Sequence, residues 1–309
     1  MDFGIFLVAM SALIFGADFI VKESERIALH FNISHFVIGA TLVAFGTSLP
    51  EMAASMMASA QGKSDMAVAN VVGSVIFNIT LVLGIVFFIS KKMVPNRELF
   101  SLDSAWVVIP LVLFFIMIQD GEISRVDGAL YLLLMVSYLI FLFTYSRDDL
   151  EGDIDEDLSK EKFKWGRTIL LLLVGFALTI GGANFVVESG TNIARTFGVS
   201  EWIIGLFLIA LGTSLPELVV SVVAIRKGNA EMSIGNIIGS NVANFSMVLG
   251  SASLLNPLTV DLIATKFDMF IMAAASITLV FILANKLYNK AGAIFLLIIL
   301  ALFIQNSLT

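Results

Sequence analysis

The sequence predicts an all-α membrane protein of ten transmembrane helices, arranged as two inverted five-helix repeats. Three observations predict it. The 309 residues are 58% hydrophobic and only 14% charged, with a mean hydropathy of +0.97, whereas soluble domains are about half apolar and a quarter charged. The apolar residues gather in ten runs, each near the roughly 20 residues that a bilayer crossing requires. The two halves of the chain also repeat one another, and with five spans in each half the second must enter the membrane from the opposite side.

In chain order the expected spans are 3–21, 35–60, 66–90, 102–119, 127–145, 166–188, 200–225, 231–254, 267–285 and 290–306. The opening MDFGIFLVAM lacks a basic leader and a small-residue cleavage site, so it reads as the first span and not as a removable signal. The longest polar stretch, RDDLEGDIDEDLSKEKFK at 147–164, separates spans five and six. It divides the chain into a first repeat (1–145), an acidic linker (146–165) and a second repeat (166–309). The linker lacks the ordered Asp/Asn, Gly and terminal Glu of an EF-hand loop and reads as a solvated connection.

The repeat has an offset of 166: Gly16 pairs with Gly182, Gly46 with Gly212, Glu51 with Glu217, Ser74 with Ser240, Asn78 with Asn244 and Gly84 with Gly250. No gap is needed between Gly16 and Gly84, and roughly two in five positions there are identical, more than shared apolar composition gives. Of the 18 Lys and Arg, 14 fall on the linker's side of the expected spans and four on the other. The positive-inside rule then makes the linker cytoplasmic and puts both termini outside, in the inner (plasma) membrane of the cell. Trp106, Trp165 and Trp202 fall near expected span ends, where aromatic anchors sit. His30 and His35 flank the second span and read as interfacial. Asp18, whose repeat mate is Asn184, is not counted as a ligand.

The net charge of −7 is carried in loops, and no basic stripe is present to follow a phosphate backbone, which excludes nucleic-acid binding. With no Cys, disulfides, thiolate metal sites and Cys nucleophiles are excluded. No Ser-His-Asp set, P-loop or H-E-x-x-H motif appears, so an intramembrane enzyme is not expected.

The chemistry concentrates in GTSLPE, present at 46–51 and again at 212–217. Glu51 and Glu217 are the only acidic residues placed well inside expected spans. An ionised carboxylate at the bilayer centre costs about 2.5–3.5 kcal/mol on insertion scales, so a proton, a base or a cation must neutralise it, and no Lys or Arg lies at that depth. Pro50 and Pro216 lack an N–H and push away the carbonyl four residues earlier, freeing backbone oxygens near Gly46 and Gly212. Thr47, Ser48, Thr213 and Ser214 add hydroxyls in the same turn. Spans three and eight carry NVVGSVIFN (70–78) and NIIGSNVAN (236–244). The i, i+4 spacing sets Ser74 with Asn78, and Ser240 with Asn244, on one helix face. These are hard oxygen donors, suited to Ca²⁺ or Na⁺. They predict a central cage of four helices, two from each half, holding two negative charges.

GTSLPE at 46–51 and 212–217, with GSVIFN at 73–78 and GSNVAN at 239–244, resembles the two α-repeats of the cation/Ca²⁺ antiporters, specifically the sodium/calcium exchangers. The inverted five-plus-five organisation extends the resemblance over essentially the whole chain. By position it implies a metal site of Ala44 (backbone carbonyl), Thr47, Ser48, Glu51, Ser74 and Asn78 from the first repeat. From the second it implies Ala210 (backbone carbonyl), Thr213, Ser214, Glu217, Ser240 and Asn244. It implies an antiporter acting as a monomer in the lipid bilayer, with Na⁺ and Ca²⁺ as transported substrates and no cofactor, in which spans one and six move against the cage. Relatives often carry Asp where this chain has Asn244, which weakens the case for K⁺ co-transport and caps the site at two formal negative charges. The nearest rival is a Ca²⁺/H⁺ antiporter, because paired carboxylates also hold protons; a cation channel stands further off.

Overall fold

The computed structural model describes residues 2–90, 95, 97–145, 163–198 and 212–307. Among them, eight helices are long and apolar enough to cross a membrane, and a ninth span arises if one bent pair is counted as a unit. We number the helices α1 (Asp2–Phe31), α2 (His35–Thr47), α3 (Leu49–Ala60), α4 (Ser64–Ile89), α5 (Leu99–Asp120), α6 (Arg125–Thr144), α7 (Trp165–Thr196), α8 (Leu215–Arg226), α9 (Ala230–Leu255), α10 (Lys266–Ala284) and α11 (Lys290–Ser307). The bent pair is α2 and α3, which meet at 45°. Of the expected seventh span, only the part from 212 onward falls within the described residues; Trp202 and nearly all of the linker fall outside them. Among the described residues the strands form a two-residue antiparallel ladder, β1 (Glu122–Ile123) against β2 (Leu258–Thr259).

α1 and α7 are long, at 30 and 32 residues, or about 45–48 Å, and they run antiparallel. His30 stacks on Phe163 with ring centres 4.1 Å apart, while at the other end Phe3 meets Phe197 edge-on at 6.5 Å. The side on which α1 ends and α7 begins is therefore the linker side. Between these ends the two helices cross at their glycines. A methyl group on Gly16 would lie 2.5 Å from Thr179 Oγ1, and one on Gly182 would lie 2.7 Å from the Leu13 nitrogen. Shifting both partners by 166 turns the Gly16–Thr179 contact into Gly182–Leu13. The close approach needs residues without a Cβ, which is why both repeats keep glycine here.

The main core lies elsewhere. It is built chiefly from α4, α5, α6, α9, α10 and α11, with Phe36, Val37 and Ala40 of α2 and Ala58 of α3, whereas α1 contributes to two smaller clusters, one with α2, α8 and Met232 of α9 and one with α7. The share of the apolar window buried by protein is 83% for α9 and 72% for α4, against 28–44% for the other spans. The two helices that carry the Gly-Ser-…-Asn segments are thus surrounded by protein, and α9 can be the least apolar span because it meets little lipid. α9 starts on the linker side, where Gly39 packs on the Met232 backbone. It ends on the far side, where Asn256 donates to the Ser59 carbonyl at 2.8 Å.

Several expectations need correction. The first span does not stop at residue 21. α1 continues because Glu23, Ser24, Glu25 and Arg26 are buried against protein, with Arg26 paired to Glu23 at 2.6 Å. The charges are also not confined to solvated loops. Arg97, at the approach to α5, makes two bonds to Asp103, of 2.7 and 3.1 Å, with both side chains fully buried. It also lies 4.6 Å from the centre of the Phe36 ring and donates to the Tyr145 carbonyl. Trp106 is not an interfacial anchor: it is 8% exposed and packs on Tyr138 and Phe141. Trp165 does remain half exposed.

Candidate cation site

The GTSLPE segment breaks its helix outright. α2 ends at Thr47, Ser48 sits at φ −84°, ψ 4°, and α3 restarts at Leu49 with Pro50 in its first turn. A proline there loses nothing, because first-turn N–H groups have no intrahelical partner. Ser214 adopts φ −86°, ψ 2° ahead of α8 with Pro216 in the same place. Each proline thus marks a break in the helix and a new helix start. Its consequence is that Glu51 and Glu217 each lie in the first turn of a helix, where the positive end of the helix dipole favours an anion. Both are buried, at 1% and 0% exposure.

Two of the remaining candidates, Thr47 and Ser48, are bonded across the two halves. Ser48 Oγ donates to Glu217 Oε1 at 3.1 Å, linking the two halves directly. The single Thr47 hydroxyl proton is shared between the Ala44 carbonyl at 3.2 Å and Asn236 Oδ1 at 3.3 Å. The Ala44 carbonyl also accepts from the Ser48 nitrogen at 3.0 Å, so this oxygen is already engaged twice. Thr213 is partly exposed in the turn before α8, and Ser214 is buried. Ala210 falls outside the described residues. Ser74, Asn78, Ser240 and Asn244 are all at most 3% exposed.

What distinguishes this cluster is unmet hydrogen-bonding capacity. Glu51 Oε2, Glu217 Oε2, Ser74 Oγ, Asn78 Oδ1, Ser214 Oγ, Ser240 Oγ and both polar atoms of the Asn244 amide are buried without a hydrogen-bond partner. Buried polar atoms are nearly always paired, because leaving one unpaired costs about 1–3 kcal/mol. So many on these candidates, mostly oxygens, are the kind of donor that binds a hard cation. No third acidic or histidine side chain joins the two carboxylates among the described residues, so the formal charge of the cluster stays at two.

Two features of the site were missed in the sequence. Asn78 and Asn244 each open a π-helical turn, Asn78–Val82 and Asn244–Leu249, a local widening common at functional sites. In each turn a hydroxyl two residues on, Thr80 or Ser246, donates to the carbonyl four residues back. Asn70 and Asn236 form the second feature. Asn70 Nδ2 donates to Ser55 Oγ at 2.9 Å and to the Glu51 carbonyl at 3.2 Å, and Asn236 Nδ2 donates to Ser221 Oγ at 3.0 Å. Asn70 with Asn236, and Ser55 with Ser221, are identical pairs at the 166 offset, which is the signal that could have found them.

Comparison with known proteins fits this geometry. The family model described as sodium/calcium exchanger protein matches residues 1–144 and 167–308. The chain belongs to the sodium/calcium exchanger family. Within this family of antiporters it is 31% identical over 322 residues to the sodium/calcium exchanger MaX1 of Methanosarcina acetivorans, covering 92% of this chain and 91% of that one. It is also 35% identical over 301 residues to an uncharacterized membrane protein of Methanocaldococcus jannaschii, covering 97% and 95%. Among solved structures it resembles the sodium-calcium exchanger NCX_Mj soaked with 2.5 mM Na⁺ and 10 mM Sr²⁺, with a TM-score of 0.84 at 32% identity over 98% of each chain. It likewise resembles that exchanger soaked with zero Na⁺ and Ca²⁺, with a TM-score of 0.82 at 32% identity over 99% and 98%. As an exchanger-family member the chain is a multi-pass membrane transporter.

Proposed function

We propose that this protein exchanges Na⁺ for Ca²⁺ by alternating access, with the ions bound between Glu51 and Glu217. The observation that carries the reading is the pairing of two buried carboxylates from different halves of the chain, each with an unpartnered oxygen and neither in an ion pair among the described residues. The exchange carried out by the similar proteins MaX1 and NCX_Mj supports the ion identities.

In this reading Glu51, Glu217, Thr47, Ser48, Thr213, Ser214, Ser74, Asn78, Ser240 and Asn244 supply side-chain oxygens, and Ala44 and Ala210 supply carbonyls. Two carboxylates in a dry cage repel, so the empty, ionised site resists the occluded state that must cross the barrier. One Ca²⁺, or Na⁺ in sufficient number, removes that penalty, and the protein changes sides only when loaded. Mg²⁺ is a poor substrate because it dehydrates reluctantly and demands a tighter shell. If more Na⁺ enters than charge balance requires, the membrane potential contributes about 2.3 kcal/mol per charge per 100 mV. The moving unit is the α1–α7 pair, whose contacts stand apart from the main core.

The architecture we propose is ten spans in two inverted repeats, as a monomer in the inner membrane with the linker cytoplasmic and both termini outside. The antiparallel α1–α7 pair, with its contacts related by the 166 offset, supports the inversion. Proteoliposomes loaded in parallel with Na⁺, with K⁺ or with a proton gradient test the function. Ca²⁺ uptake that follows the Na⁺ gradient is the expected result. Uptake driven by H⁺ and indifferent to Na⁺ makes the protein a Ca²⁺/H⁺ antiporter, and flux without a counter-ion makes it a channel.

A further inference from the structure

The two halves of the site are alike in sequence but not in their hydrogen bonds. Thr47 of the first half reaches Asn236 of the second at 3.3 Å, and Ser48 reaches Glu217 at 3.1 Å. The counterparts at the 166 offset would be Thr213 to Asn70 and Ser214 to Glu51. Neither bond is formed among the described residues: Ser214 Oγ has no partner at all, and Asn70 bonds only within its own half. Burial follows the same asymmetry. Asn236 and Thr47 are fully buried, whereas Asn70 and Thr213 are partly exposed.

The two amides lie on opposite sides of the carboxylates. Asn236 is in the second turn of α9, near its linker-side end, beside the packing of Gly39 on Met232. Asn70 is in the second turn of α4, near its far-side end, where α3 and α4 meet. The α1–α7 pair leans the same way. α1 packs along α8, and Lys227 at the end of α8 pairs with Asp18 of α1, whereas α7 makes no comparable contact with α3 among the described residues. Among the described residues, these bonds tie the two halves together on the linker side, and their counterparts on the far side are not formed.

We propose that Asn236 and Asn70 are positioning residues that take turns. The Thr47–Asn236 bond holds the linker side closed, and a Thr213–Asn70 bond replaces it when the far side closes. Each amide captures the threonine of the opposite half's GTSLPE segment, so closing one side ties the halves together there. Both amides are already oriented by a serine of their own half, Ser221 or Ser55, and only the cross-half bond is exchanged. The inference rests on the alternating-access reading and adds to it the side chains that set which side is shut.

The test is hydrogen–deuterium exchange on the full chain in nanodiscs without transported ions, comparing Asn236→Leu and Asn70→Leu with the parent. Asn236→Leu is expected to speed exchange over 230–236 and to slow it over 64–70. Asn70→Leu is expected to slow it over 230–236. Losing one buried hydrogen bond should shift the balance between states about fivefold. Side-specific Ca²⁺ uptake should move with it: Asn236→Leu lowers KM on the linker side and raises it on the far side, and Asn70→Leu does the reverse. A merely structural role would loosen only the mutated side and move KM on both sides together, and that result would overturn the proposal. Asn70 is partly exposed, so its variant still decides the matter if Asn236→Leu fails to fold. The exchange readout needs no ion gradient. A parent that shows no Na⁺-driven uptake but whose variants shift exchange as stated would sink the function and leave the positioning role standing.

Discussion

Ser48 donates a 3.1 Å hydrogen bond to Glu217, joining residues 169 apart in sequence. Two helix starts are thereby tied together at the centre of the molecule, since Ser48 precedes α3 and Glu217 lies in the first turn of α8. The hydroxyl engages one carboxylate oxygen, and the other stays unpartnered.

Replacing either acid tests the shared site. Glu51→Gln or Glu217→Gln removes half the negative charge and puts a donor NH₂ among atoms that would have to accept or ligate. Removing one partner of a buried charged set costs about 3–5 kcal/mol, so Ca²⁺ affinity by calorimetry should fall by about two to four orders of magnitude, and uptake and Na⁺ efflux should both stop. Ser48→Ala is milder, at about tenfold in KM for the loss of one bond to a charged group. Transport near the parent level in either Gln variant would be incompatible with the site.

The α1–α7 crossing should tolerate no added volume. A methyl on Gly16 would meet both Thr179 Oγ1 at 2.5 Å and the Gly175 carbonyl at 2.7 Å, and the second cannot swing aside. Gly16→Ala and Gly182→Ala should each destabilise the protein by about 1–3 kcal/mol, read as a lower melting temperature in detergent, and should slow transport more than they weaken Ca²⁺ binding.

Two ion pairs should behave oppositely. Arg97–Asp103 is fully buried, so Arg97→Met alone takes the guanidinium away from a buried carboxylate and should cost about 3–5 kcal/mol, while Arg97→Met with Asp103→Leu should recover most of the loss. Thermal unfolding of the single and double variants checks this.

Lys227–Asp18 is 32% and 42% exposed. Asp18→Asn, which gives α1 the residue that α7 carries, should therefore change stability by less than about 1 kcal/mol. A large drop in melting temperature would mean that the pair does more than rest at the surface of the α1–α8 contact.

The parts of this protein legible in sequence are those written twice. Glu51 and Glu217, the Gly-Ser-…-Asn segments and the crossing glycines all announced themselves through the constant offset, and both acids are buried. What composition hid was set by partners distant in sequence. Glu23–Arg26 looked like the end of a span because hydropathy counts charges, not the protein that covers them. Arg97 looked like a loop residue because the Phe36 ring and the Tyr145 carbonyl that help enclose it lie far away in sequence. Trp106 near a span end suggested an interface, but Tyr138 and Phe141 enclose it. The π-turns at Asn78 and Asn244 carried no composition signal beyond the hydroxyls of Thr80 and Ser246.

The most direct measurement is anomalous diffraction from crystals grown with Ca²⁺. The account predicts one strong peak between Glu51 and Glu217, with oxygens of both at about 2.3–2.6 Å and with Ser or Asn oxygens from both halves completing the shell. A peak held by residues of one half alone, or no peak at this position in protein that transports Ca²⁺, would contradict it.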